Sequence, residues 1–156
     1  MTGDHSSPAL SDHRLSQIRH EVLRHGPVRS LEEAAEARGM EPSQLIKTMV
    51  VRRSHDDYLF VLVPGDRVIS WPKLRSHLGV NRLSMPDADE ARAVTGYERG
   101  TITPLGSERE LPVLADSRLA GTVSLGAGEH GLSVTVSAAD LIAVLDADVA
   151  DVTDAV

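Results

Sequence analysis

The chain has 156 residues, 16 basic against 23 acidic side chains, a formal charge of −7 and no cysteine. That length suits one domain around one core, and the missing cysteines exclude disulfides, thiolate metal sites and a cysteine nucleophile. Hydrophobic residues make up 41%, but with one Trp, two Tyr and one Phe there is no aromatic platform on which bases could stack.

In chain order, residues 1–13 are small and polar without periodicity, which predicts a disordered tail ahead of a single domain over 14–156. Leu15, Ile18, Val22 and Leu23 recur at helical spacing, and Gly26-Pro27 would stop that helix after His25. Ser30 and Glu33 form a capping box for a short helix ending at Gly39. Residues 41–44 read as a helical turn with Pro42 at its first position.

Residues 45–51 and 58–63 are apolar β-type runs joined by a polar turn, which predicts an antiparallel pair. Ser70 caps a helix whose apolar face carries Trp71, Leu74 and Leu78, and residues 82–85 read as a short strand. Asp87 and Glu90 cap a helix through Val94, three β runs follow over 111–116, 122–125 and 132–136, and Ser137 with Asp140 caps a last helix over 141–145. Strict β-α-β alternation is missing. The expected fold is therefore α/β of the mixed α+β kind, a mixed, curled sheet or barrel of about six to seven strands with helices outside.

The stretch Thr95 to Gly106, TGYERGTITPLG, is not amphipathic and holds three glycines and a proline. It reads as a shaped loop at a helix-to-strand junction, with Gly100 and Pro104 spaced so that backbone amides can face inward. Lys47 interrupts an apolar strand, so its ammonium needs a partner or a pocket, or must snorkel to water. Residues 126–131 match G-x-G-x-x-G, but a β run follows where a dinucleotide fingerprint needs a helix; a hairpin turn fits better, with Gly128 and His130 as candidate pocket residues. Asp116 ends a strand as a lone carboxylate, either a cap or a pocket group. The seven histidines show no metal-binding spacing, so no metal and no organic cofactor is expected.

All lysines and arginines fall between Arg14 and Arg118, whereas residues 119–156 carry only acidic groups. A nearly neutral body can still offer a basic face to an RNA end. With no apolar run near the ~20 residues of a membrane span and no signal pattern, a cytoplasmic protein without membrane or DNA partners is expected.

Together, Gln44-Leu45-Ile46-Lys47-Thr48, the TGYERGTITPLG loop, residues 111–116 and residues 126–152 resemble the YbaK/EbsC family, relatives of the editing domain inserted in bacterial prolyl-tRNA synthetases. The resemblance implies a trans-editing aminoacyl-tRNA deacylase that binds the acceptor end of a mischarged tRNA, such as prolyl-tRNA carrying Ala, Cys or another small amino acid, with a synthetase as a further candidate partner. It implies catalytic roles for Lys47 and Gly100 and a place for Pro104 in the substrate-binding loop; Tyr97, Thr101, Thr103, Asp116, Gly128 and His130 are the further candidate substrate-binding residues. Thr101 and Thr103 stand where relatives often have glycine and serine, which bears on which amino acid is removed. The alternative is a non-catalytic module of the same fold that binds an aminoacyl-tRNA or a small ligand.

Overall fold

The structure, a computed structural model, describes residues 7–26 and 28–156. Of the segment 1–13 expected to be disordered, residues 7–13 are described. Residues 7–13 are folded, with Ser7 and Ala9 buried, and form a strap that lies against the TPLG end of the long loop. Residues 1–6 and Pro27 lie outside the described residues.

The predicted first helix is instead a single 3-10 turn over Leu15–Gln17 followed by a strand, β1 (His20–Arg24). Four apolar residues are too few to stabilise a short helix rich in β-branched side chains. The backbone finds its hydrogen bonds on a sheet edge instead, while Val22 stays exposed. Helix α1 (Leu31–Arg38) follows, with the Ser30 hydroxyl accepting the Glu33 N–H at 3.1 Å. A 3-10 turn over Pro42–Gln44 leads into β2 (Leu45–Ser54), which turns at residues 55 and 56 into β3 (Asp57–Pro64). The pair is antiparallel, as its apolar runs predict, and longer than expected because Arg52 to Ser54 stay in the strand.

Then come β4 (Arg67–Ile69), α2 (Trp71–Leu78) and α3 (Ala88–Thr95), both helices capped by the predicted residues, Ser70 and Asp87. The strand expected over 82–85 is reduced to a single bridge between Ser84 and Arg52. Beyond the long loop lie β5 (Val113–Asp116), β6 (Thr122–Gly126), β7 (Leu132–Ser137), α4 (Ala138–Val144), β8 (Asp148–Ala150) and β9 (Thr153–Ala155).

Seven strands form a mixed sheet in the order β1-β7-β6-β2-β3-β5-β8, and β4 pairs with β9 beside it. The mixed sheet matches the expectation, while β4, β8 and β9 were not foreseen. Along β2 and β3 the side chains alternate between two cores. Val50, Phe60 and Leu62 face one core with Leu105 and Leu125; Val51, Leu59, Val61 and Val63 face the other, under Leu74 of α2. Arg52 and Tyr58 both hydrogen-bond the Glu90 carboxylate, at 3.2 and 2.5 Å, and so tie α3 to the β2-β3 hairpin.

Candidate functional site

The site follows from a gap in the sheet. β2 runs parallel to β6 for only two residue pairs, the second being Ile46 with Leu125, and then outlasts it. Its next partner on that side is Ser84, opposite Arg52. Between these points no strand of the described residues lies beside β2. Because Arg52 turns both its N–H and its C=O toward Ser84, alternation turns those of Thr48 and Val50 the same way, into the gap. A cavity of about 640 Å³ fills it, walled by Ala34 and Arg38 of α1, β2, Ala88 and Ala91 of α3, and Arg99, Gly100 and Ile102 of the loop.

Gly100 has φ of +89°, and a Cβ there would lie 3.4 Å from the His130 ring. The loop closes on itself through Thr101, whose N–H and hydroxyl both donate to the Glu98 carbonyl and whose own carbonyl accepts the Gly128 N–H. This leaves the N–H groups of Gly100 and Ile102 without an acceptor among the described residues, and both residues line the cavity.

Lys47 and Gly100, predicted from sequence, therefore do line one cavity. The Lys47 side chain, however, stands on the α2 face of β2, opposite Val63, where its ammonium donates to the Arg67 carbonyl. Burial lowers its pKa, with Asp66 opposing that shift. One of its three donors is thus taken and two are open.

The other predicted residues separate into three groups. Tyr97, Thr101, Thr103 and Pro104 are buried behind the loop as its support: the Tyr97 hydroxyl donates to the Leu105 carbonyl at 2.6 Å, and Thr103 Oγ1 accepts the Leu105 N–H at 3.3 Å. Burial pushes the Tyr97 phenol up to about 12. Gly128 packs against Tyr97, and His130 stands exposed beside Gly100 with Nε2 3.4 Å from a Glu98 carboxylate oxygen.

Asp116 is not at the cavity, which corrects the expectation of a pocket role. Its fully buried carboxylate accepts the Val152 N–H at 3.1 Å and the Thr153 hydroxyl at 3.0 Å, and pairs with Arg118. It anchors the chain between β8 and β9.

Sequence reading missed several cavity residues, Thr48, Arg38 and Arg99 among them. Thr48 presents a buried Oγ1 with no partner among the described residues; its position next to Lys47 in an alternating strand was the available signal. Arg38 lines the α1 wall, a placement that no local pattern announces. No described helix is long and apolar enough to cross a membrane.

Comparison with known proteins bears on this site. A family model described as an aminoacyl-tRNA editing domain matches residues 25–144. The proline–tRNA ligase of Limosilactobacillus fermentum is 31% identical over 108 residues, 65% of this chain but 19% of the ligase, so the chain spans about a fifth of that relative. A candidate Cys-tRNA(Pro)/Cys-tRNA(Cys) deacylase, EbsC of Enterococcus faecalis, is 23% identical over 126 residues, covering 80% of this chain and 77% of the relative. The fold is shared with the crystal structure of a candidate trans-editing enzyme for prolyl tRNA synthetase, at a TM-score of 0.83 over 99% of both chains and 23% identity. With the family model covering most of its length, this chain belongs to the aminoacyl-tRNA editing domain family, of the YbaK type.

Proposed function

We propose that this domain is a deacylase that hydrolyses the ester of a mischarged aminoacyl-tRNA. The observation that carries this reading is that Gly100 and Ile102, whose amides have no acceptor among the described residues, both line a cavity in a member of an editing family. The cavity lies within the roughly 300–1,000 Å³ usual for small-ligand sites and suits a terminal adenosine bearing a small aminoacyl group.

In this reading water adds to the ester carbonyl carbon, and the negative charge that develops on the carbonyl oxygen meets the two amides. The bond from that carbon to the ribose oxygen then breaks, and the water's proton ends on the departing oxygen. Free amino acid and an intact tRNA hydroxyl result. No covalent nucleophile is needed because the ester is already activated. Thr48 and the open edge of β2 offer hydrogen bonds that hold the substrate in line, and Lys47 adds positive charge from the α2 face of β2. Arg99 lines the cavity at an exposed position without a carboxylate partner among the described residues, and takes the phosphodiester of the acceptor end.

The names of the relatives make tRNA(Pro) the first tRNA to test. The experiment is deacylation of tRNA(Pro) mischarged with Ala, Cys, Ser, Thr, Asp or Glu by the wild type, Lys47→Ala and Gly100→Ala. Hydrolysis of at least one ester, lowered about a hundred-fold in Gly100→Ala, supports the reading, since a small misplacement of reacting groups costs that much. Binding of the tRNA without hydrolysis of any ester would replace the deacylase with a binding module.

A further inference from the structure

Glycine weakens a strand through its backbone entropy and its lack of anything to pack, so it is kept there when something needs the side chain to be missing. Gly126 ends β6, paired with Ser133 of β7, and no group among the described residues has that need. Eight other glycines have positive φ, and a Cβ on Gly65 would strike the Pro42 carbonyl oxygen. Among the described residues Gly26 and Gly126 alone are free of both demands, and Gly26 is exposed and outside the cavity. Gly126 lines it.

The direction a side chain would take follows from β6. Leu125 is buried in the core with Phe60 and Leu62, so alternation turns Ser124 and Gly126 to the opposite face. On that face the Ser124 hydroxyl accepts a hydrogen bond from Arg38, a residue of the α1 wall. A Cβ on Gly126 would therefore enter the cavity. Within 4 Å it would meet the Thr101 and Ile102 carbonyl oxygens, at 3.9 and 4.0 Å, and nothing else, which is ordinary contact without a clash. The absent side chain is thus open space against the loop that carries the Gly100 and Ile102 amides.

We propose that Gly126 is a substrate-clearance position, whose bare Cα leaves room beside that loop for the atoms flanking the scissile ester, the aminoacyl group on one side or the ribose on the other. The proposal rests on the editing reading and adds a residue to its site. A chain with nothing to admit there would gain stability from alanine, because at a φ outside the left-handed region that change restricts the unfolded state.

The test measures deacylation of glycyl, alanyl, seryl and threonyl esters of tRNA(Pro) by the wild type, Gly126→Ala and Gly126→Val, with a melting curve for each protein. In parallel, binding of 3′-deoxyadenosine bearing a 3′-alanylamide, which has no ester to cleave, is titrated against the same proteins. The melting temperature of Gly126→Ala should hold or rise while its kcat/KM falls about ten-fold or more, the scale of one methylene in a closely fitted pocket, and Gly126→Val should lose more. A loss that steepens from glycyl to threonyl supports the proposal with the aminoacyl group in the space; an equal loss across the series supports it with the ribose there. Wild-type activity in Gly126→Ala would overturn the proposal and leave the deacylase reading standing. A lowered melting temperature in Gly126→Ala would also overturn it, since the glycine would then serve packing. If the wild type hydrolyses no ester, the deacylase reading falls and the amide decides separately: weaker binding by Gly126→Ala supports the clearance, whereas unchanged binding, or none by the wild type, rejects it.

Discussion

The Asp12 carboxylate accepts the Gly106 N–H at 2.7 Å, across 94 residues of chain. Arg14 completes the clamp, donating to the other Asp12 oxygen at 3.1 Å and to the Pro104 carbonyl at 3.1 Å. The strap before the first strand therefore holds the end of the loop whose other limb carries Gly100.

Burial of Asp12 disfavours its charge, but hydrogen bonds from Arg14 and from the Gly106 and Arg14 amides outweigh it, and the carboxyl lies below the ordinary range. Because the folded value is lowered, the clamp contributes in full above the ordinary carboxylate value of about 4 and is lost as pH falls through the lowered one. Asp12→Asn should cost about 1.5–3 kcal/mol at neutral pH, the range for hydrogen bonds to a charged group. In urea melts across pH 3–7 the gap between the two proteins should close toward the acid end.

Gly106 has φ of +66°, and a Cβ there would run into the backbone of Pro8, which cannot swing aside as a flexible side chain would. Gly106→Ala should therefore destabilise by roughly 1–3 kcal/mol and push the strap off the loop. Limited proteolysis should then cut within residues 7–14 faster than in the wild type.

Thr48→Val keeps the shape of the side chain and removes a buried hydroxyl that has no partner. Deleting an unsatisfied polar atom does not destabilise, so the melting temperature should hold or rise, while kcat/KM for the best ester should fall. A fall in stability with unchanged kinetics would assign Thr48 to packing alone.

Asp116→Ala should do the opposite. It removes the acceptor of the Val152 N–H and the Thr153 hydroxyl from a fully buried position, at a cost of about 2–4 kcal/mol. Activity per folded molecule should stay unchanged at low temperature, in contrast to the Lys47 and Gly100 variants.

Features whose causes lie within a few residues could be read from the chain before it folds. Ser30, Ser70, Asp87 and Ser137 each accept an N–H three positions on, so four of the caps, and with them the four helices, could be read locally. The β2-β3 hairpin was legible because its apolar runs flank a short polar stretch, and the loop around Gly100 because glycine frees and proline fixes the backbone wherever they stand. Whatever depends on partners distant in sequence was set by the assembled fold. β1 is a strand because β7, more than a hundred residues on, supplies its hydrogen bonds, and the strap is ordered because its Asp12 carboxylate accepts the Gly106 N–H while Pro8 and Ala9 pack on that glycine. The cavity exists because β6 ends while β2 continues, which is a property of two strands and not of either sequence. Arg38 and Thr48 enter the site, and Asp116 leaves it, for the same reason: a side chain's chemistry is written in its type, but its partners are set by how the sheet is assembled.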